Sequence, residues 1–127
     1  MKNLTLSIKQ VYFDQILSGE KKSEFRDIWP NNATRYCQID PEGYLIDIDG
    51  VIQPVKYDTI TFYTGAYRGK RPKMVVEVRD AEVYLLEDEN GELITYDDNG
   101  EEFYAIQIEY HLGKILEKPS NDSSVRT

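Results

Sequence analysis

Three Asx-Gly pairs, Asp49-Gly50, Asn90-Gly91 and Asn99-Gly100, constrain this chain more than any other feature. Asn, Asp and Gly all tolerate positive φ, and such a pair between β-prone runs is the strongest short-range signal of a tight hairpin. The pairings expected are 44–48 with 51–55, 83–87 with 92–96, and 94–97 with 102–110. Two more alternating runs, 59–64 and 74–79, lie between them. In the last long strand Tyr104, Ile106, Ile108 and Tyr110 share one face.

The N-terminal residues add a different unit. Leu4, Leu6 and Ile8 alternate with Thr5, Ser7 and Lys9, the period-2 pattern of a half-buried strand. From Val11 the period changes. Phe13, Ile16 and Leu17 stand at helical spacing, and Gly19 follows where a left-handed cap belongs, so a helix is predicted over about 11–18. Strand character returns from Lys22 to Ile28 and stops at Trp29-Pro30. Many short strands with one clear helix predict a mainly β fold with some α, a small barrel with one or two flanking helices. No internal repeat is read. The 127 residues fit one domain, taken as 1–117. Within it 29–57 is read as an insertion or elaborated hairpin, and 118–127, without apolar periodicity, as a disordered tail.

Composition removes several classes of function. One cysteine, Cys37, rules out an intramolecular disulfide, and with a single histidine it leaves no donor set for a structural zinc. No metal or cofactor is expected. No apolar run approaches the roughly 20 residues a membrane helix needs, and the N-terminus reads as a strand rather than a signal peptide. A cytoplasmic protein without a membrane partner is the expectation. The net charge of −8 argues against non-specific coating of nucleic acid. The charge is uneven, however. Between residues 59 and 76 stand Arg68, Lys70, Arg71 and Lys73 with no acid, whereas from 77 to 111 only Arg79 opposes many carboxylates.

The segment that carries chemistry is 19–26, Gly-Glu-Lys-Lys-Ser-Glu-Phe-Arg. A capped helix runs directly into a strand there, which turns the backbone at Gly19. Strand alternation places Glu24 and Arg26 on one face and sends Phe25 the other way, into the barrel. A carboxylate beside a guanidinium orients it for gripping a polar ligand. Strict alternation puts Lys22 beside Glu24, so Lys21 joins that face only if the turn breaks parity. A solvated charged strand is the competing reading of the same residues.

Gly19, Lys21, Glu24 and Arg26 satisfy a Gly-x-Lys-x-x-Glu-x-Arg pattern that resembles the signature of the ASCH domain, a branch of the PUA-like β-barrel superfamily. The preceding strand and the Phe13, Ile16, Leu17 helix are similar to that family's opening βα unit. Residues 62–67 and 75–78 resemble its second half. The resemblance implies a barrel with a cleft beside the first helix, used for RNA or a nucleotide-like ligand. Carried over by position, Lys21, Glu24 and Arg26 line that cleft, with Gly19 setting the turn. Tyr63, Thr64 and Tyr67 are candidates for base contact and Arg68 and Arg71 for phosphate, since rings beside cations stack bases while the cations hold the backbone.

Three functions compete. The first is a module that binds RNA, a nucleotide or a nucleoside. The second is an enzyme on such a ligand, a nucleoside amidohydrolase or a ribonuclease, with Lys21 and Glu24 as catalytic candidates. In the amidohydrolase relatives the signature lysine works with a hydroxyl three positions on, where this chain has Glu24, so a charged clamp is expected instead. The third is a protein-interaction barrel, which the acidic charge favours.

Overall fold

The structure, a computed structural model, describes residues 1–65 and 71–119. Its elements in chain order are β1 (Asn3–Ser7), α1 (Gln10–Ser18), β2 (Ser23–Ile28), α2 (Ala33–Tyr36), β3 (Asp47–Ile48), β4 (Val51–Ile52), β5 (Thr59–Tyr63), β6 (Lys73–Leu85), β7 (Thr95–Asp98), β8 (Glu101–Tyr104) and β9 (Ile106–Glu117). The chain is therefore mainly β, with helices of nine and four residues among the described residues. Five strands are hydrogen-bonded in the order β1-β5-β6-β9-β2, and β3-β4 and β7-β8 are separate hairpins. None of the described helices is long and apolar enough to cross a membrane. The chain divides into two compact units, Met1–Glu24 with Lys56–Asp80 and His111–Thr127, and Phe25–Val55 with Ala81–Tyr110.

In the first unit alternation builds the core directly. β1 runs parallel to β5 and β5 antiparallel to β6, in a register that aligns Leu4 with Ile60 and Val76, and Leu6 with Phe62 and Met74. All six side chains are buried, as are Phe13 and Ile16 of α1. Burial of side chains of this size stabilises by about 1.5–3 kcal/mol each against exposure. The opposite face is polar. There the Asn3 Oδ1 accepts hydrogen bonds from the Thr59 and Thr61 hydroxyls at 2.8 and 3.1 Å, which satisfies two buried side chains.

The second unit buries Ile28, Tyr36, Cys37, Val83, Ile108 and Tyr110. It also contains a repeat that the sequence reading missed. Asp40 Oδ1 accepts from the Glu42 and Tyr44 N–H groups, and Asp88 Oδ1 from those of Asn90 and Glu92. Gly43 and Gly91, at φ 92° and 80°, hold equivalent places in the two loops. Three backbone bonds follow in each copy. Ile46 donates to Gln38, Gln53 to Ile46 and Gln38 to Gln53, while Ile94 donates to Leu86, Ala105 to Ile94 and Leu86 to Ala105. The shared text is Asp-x-x-Gly-x-Leu-Ile, displaced by 48 residues (Asp40 to Asp88). The copies differ in their hairpins, which is why no fixed period extends past Ile46 and Ile94.

Several sequence expectations need correction. Asn90-Gly91 is not a turn with two positive φ values, because only Gly91 is left-handed and the Asp88 carboxylate organises the loop. Asp49-Gly50 and Asn99-Gly100 do have both residues positive, at 53° and 82°, and 55° and 83°. The runs 74–79 and 83–87 belong largely to one thirteen-residue strand, β6. The expected 102–110 strand breaks at Ala105, and β9 continues to Glu117 through residues without clear alternation.

Candidate functional site

The turn from α1 into β2 is tied at each step. Gly19 caps the helix at φ 87°, with its N–H on Ile16 O, and the Lys21 N–H reaches back to Gln15 O at 2.9 Å. The Glu20 N–H donates to Ser18 Oγ. Parity is broken here, as Lys21 required. Its Nζ donates to Ser23 O at 2.6 Å, lies 3.4 Å from Glu24 Oε1, and stands 5.7 Å from the centre of the Tyr12 ring. Lys22 is exposed.

Along β2 the burial pattern reverses one expectation. Glu24 is only 6% exposed and Ile28 is buried, whereas Phe25 is 44% exposed. The carboxylate, and not the phenyl ring, occupies the inward position. A buried carboxylate is costly unless it is paired, and Lys21 supplies an ammonium at its edge. Arg26 is half-buried, on the part of β2 that belongs to the second unit.

Beside this turn the first unit holds a groove of about 630 Å³, whose lining includes Gly19, Lys21, Lys22, Arg79, Lys114 and Lys118. No carboxylate lines it among the described residues. β9 supports the groove because the Leu112 N–H bonds to Lys22 O at 2.9 Å. Glu77 stands behind it, with Oε1 accepting from the Lys114 N–H at 3.1 Å and lying 3.8 Å from Arg79 Nε. Gly113 makes this possible. A Cβ at that position would overlap Glu77 Oε1 and crowd the Arg79 side chain.

The charge of each unit accords with this. By sequence the first unit carries 13 Lys and Arg against 8 Asp and Glu, net +5, and the second 2 against 15, net −13, which together give the chain's −8. Lys22, Arg79, Lys114 and Lys118 were absent from the sequence-based site. They are scattered over three segments, and only the pairing of β9 brings them to the 19–22 turn.

The remaining candidates form a second cluster in the first unit. The Arg71 guanidinium lies 4.8 Å from the Tyr63 ring centre, and its Nη1 donates to Ser7 Oγ at 3.1 Å. Thr64 is buried, and its Oγ1 has no hydrogen-bond partner among the described residues. Tyr67 and Arg68 lie outside the described residues, as do Lys70 and most of the expected tail. Cys37 is buried, and burial pushes its thiol up to about 11, which suits a structural rather than a nucleophilic group.

Comparison of the chain with protein-family models, with curated proteins and with solved structures gives no match.

Proposed function

We propose that the first unit binds RNA or a nucleotide-like ligand through its phosphate, in the lysine-rich groove beside the first helix. The observation that carries this reading is a groove lined by five cations and no carboxylate in a chain of net charge −8. So local a concentration of one sign against the chain's overall charge recruits anions while the rest of the surface repels polyanions. Gly19 and Lys21 of the Gly-x-Lys-x-x-Glu pattern line that groove, which supports reading the chain as an ASCH-type member of the PUA-like barrels. In this reading Lys21 and Glu24 are a clamp, Lys22 and Lys114 hold phosphate, and Tyr63 with Arg71 flank the ligand farther out. The lone buried Cys37 accords with a cytoplasmic protein, where no disulfide partner is needed.

Calorimetric titration with AMP, ATP and an eight-nucleotide single-stranded RNA tests the reading. Saturable binding that weakens about tenfold in Lys22→Ala/Lys114→Ala supports it, as two phosphate-facing charges are then lost. Binding that ignores this double variant overturns the site. Efficient deacylation of an N-acylated cytidine, abolished by Lys21→Ala, would replace the binding module by an amidohydrolase.

A further inference from the structure

In the second unit, Trp29, Tyr96 and Phe103 form an aromatic row. The Trp29 and Tyr96 rings meet edge to face at 4.9 Å, and those of Tyr96 and Phe103 stack at 5.8 Å. Trp29 is nonetheless 44% exposed. A groove of about 570 Å³ opens beside it, lined by Trp29, Pro30, Asn31, Tyr96, Asp97 and Asp98. Its floor is rigid. Asn32 Oδ1 accepts from the Trp29 N–H at 2.7 Å, the Asn32 N–H returns to Trp29 O, and Asn99-Gly100 closes the β7–β8 turn.

The hairpin beside this groove is the one that is longer than its repeat counterpart, and its added length is acidic. In register, Tyr96 faces Phe103, Asp97 faces Glu102 and Asp98 faces Glu101. Like charges directly opposite each other on a ribbon are destabilising, and here two such pairs are consecutive. Neither pair has a cation to relieve it, as none of the four carboxylates forms an ion pair among the described residues. Alternation puts Asp98 and Glu101 on the same face as Tyr96 and Phe103. Tyr96 registers this, because partial burial and then the Asp98 charge push its hydroxyl pKa upward. An exposed Trp29 ring and a half-buried Tyr96 ring beside carboxylates that lack an ion pair are complementary to one ligand class, an alkyl chain or guanidinium plane that carries positive charge.

We infer that this groove binds a Lys/Arg-rich peptide segment of a partner protein, with one cationic side chain laid along Trp29 and Tyr96 and its charge at Asp98 and Glu101. A segment with several cations fits better than a single ammonium, because Asp97, which also lines the groove, and its partner across the ribbon, Glu102, add two further carboxylates. This groove shares no lining residue with the anion groove.

Trp29 is the chain's only tryptophan, so its fluorescence reports on the groove directly. The full chain is titrated at low salt with an eight-residue peptide of alternating Arg and Gly, with its Glu counterpart as control. A saturable change in Trp29 emission is expected with the Arg peptide alone. In Asp98→Asn/Glu101→Gln that binding should weaken about fivefold to tenfold while urea resistance rises, since the variant removes one repulsive pair. A merely solvated acidic tip would show the rise in stability without any peptide binding, and that outcome overturns the proposal. So would unchanged affinity in the double variant, equal saturation by spermine, or self-association of the chain that the peptide does not compete away.

Discussion

Lys21 Nζ and Glu24 Oε1 lie 3.4 Å apart across the turn from helix to strand, with the carboxylate side chain 7% exposed and the lysine side chain 20%. The pair links the fold of the first unit to its candidate ligand, because the same ammonium lines the cation-rich groove. Removing the ammonium alone leaves a buried carboxylate short of a partner. Lys21→Met should therefore destabilise by about 1–3 kcal/mol in urea unfolding. Lys21→Met/Glu24→Leu should recover at least half of that loss, because no buried charge remains. A double variant less stable than the single one would show that Glu24 is held mainly by other groups.

Salt should affect ligand binding only moderately. If about three cations neutralise phosphates, single-stranded RNA should bind with a log–log salt slope of roughly −2. Affinity then falls about tenfold to twentyfold between 50 and 200 mM salt. Lys56→Ala, an exposed lysine away from the groove lining, should leave the slope unchanged, whereas Lys114→Ala should reduce it by about 0.7. A slope near zero would mean that the groove does not take phosphate.

The parts of the fold legible in the sequence are those fixed by local chemistry. The α1 helix, its Gly19 cap and the Asp49-Gly50 and Asn99-Gly100 turns were each readable from residues within one or two turns of chain. The inward Glu24 was not. Apolar periodicity assigns Phe25 to the core, and a carboxylate is tolerable there because it is paired, with Lys21 among its contacts. The anion groove was illegible for another reason, as Lys22, Arg79 and Lys114 become neighbours only through non-local strand pairing. The repeat in the second unit was hidden by unequal hairpins and by loops set by Asp40 and Asp88, which leave no apolar period to detect.

Gly113 should prove to be a position where a small residue matters for the site and not for backbone strain. A methyl group there overlaps Glu77 Oε1, the end of a flexible side chain, and crowds the Nε and Cγ atoms of Arg79. Gly113→Ala should displace them and break the hydrogen bond from the Lys114 N–H to Glu77. The expected cost is about 0.5–1.5 kcal/mol of stability, the worth of one hydrogen bond. Ligand affinity should change as well, because Arg79 swings within the groove. Glu77→Ala/Gly113→Ala should restore most of the affinity, and calorimetry on the three variants separates the two effects.

Cys37 ties stability to pH in the alkaline range. Burial raises its thiol from 9.0 to about 11, so between those values the folded chain holds a proton that the unfolded chain has released. The unfolded state then binds fewer protons, and the stability this group contributes falls as pH rises. Below about 9 the contribution is level. Tyr84 and Tyr96 are shifted upward too, chiefly by burial, and act in the same direction. Subtracting the profile of Cys37→Ala from that of the parent chain isolates the thiol. The difference should be flat to about pH 9 and then decline towards 11. At pH 8 a disulfide reagent should modify Cys37 only as fast as the second unit opens, since the native thiol is both protonated and 1% exposed. Rapid modification of the native chain, or a flat difference through pH 11, would show that Cys37 does not sit in the buried place described.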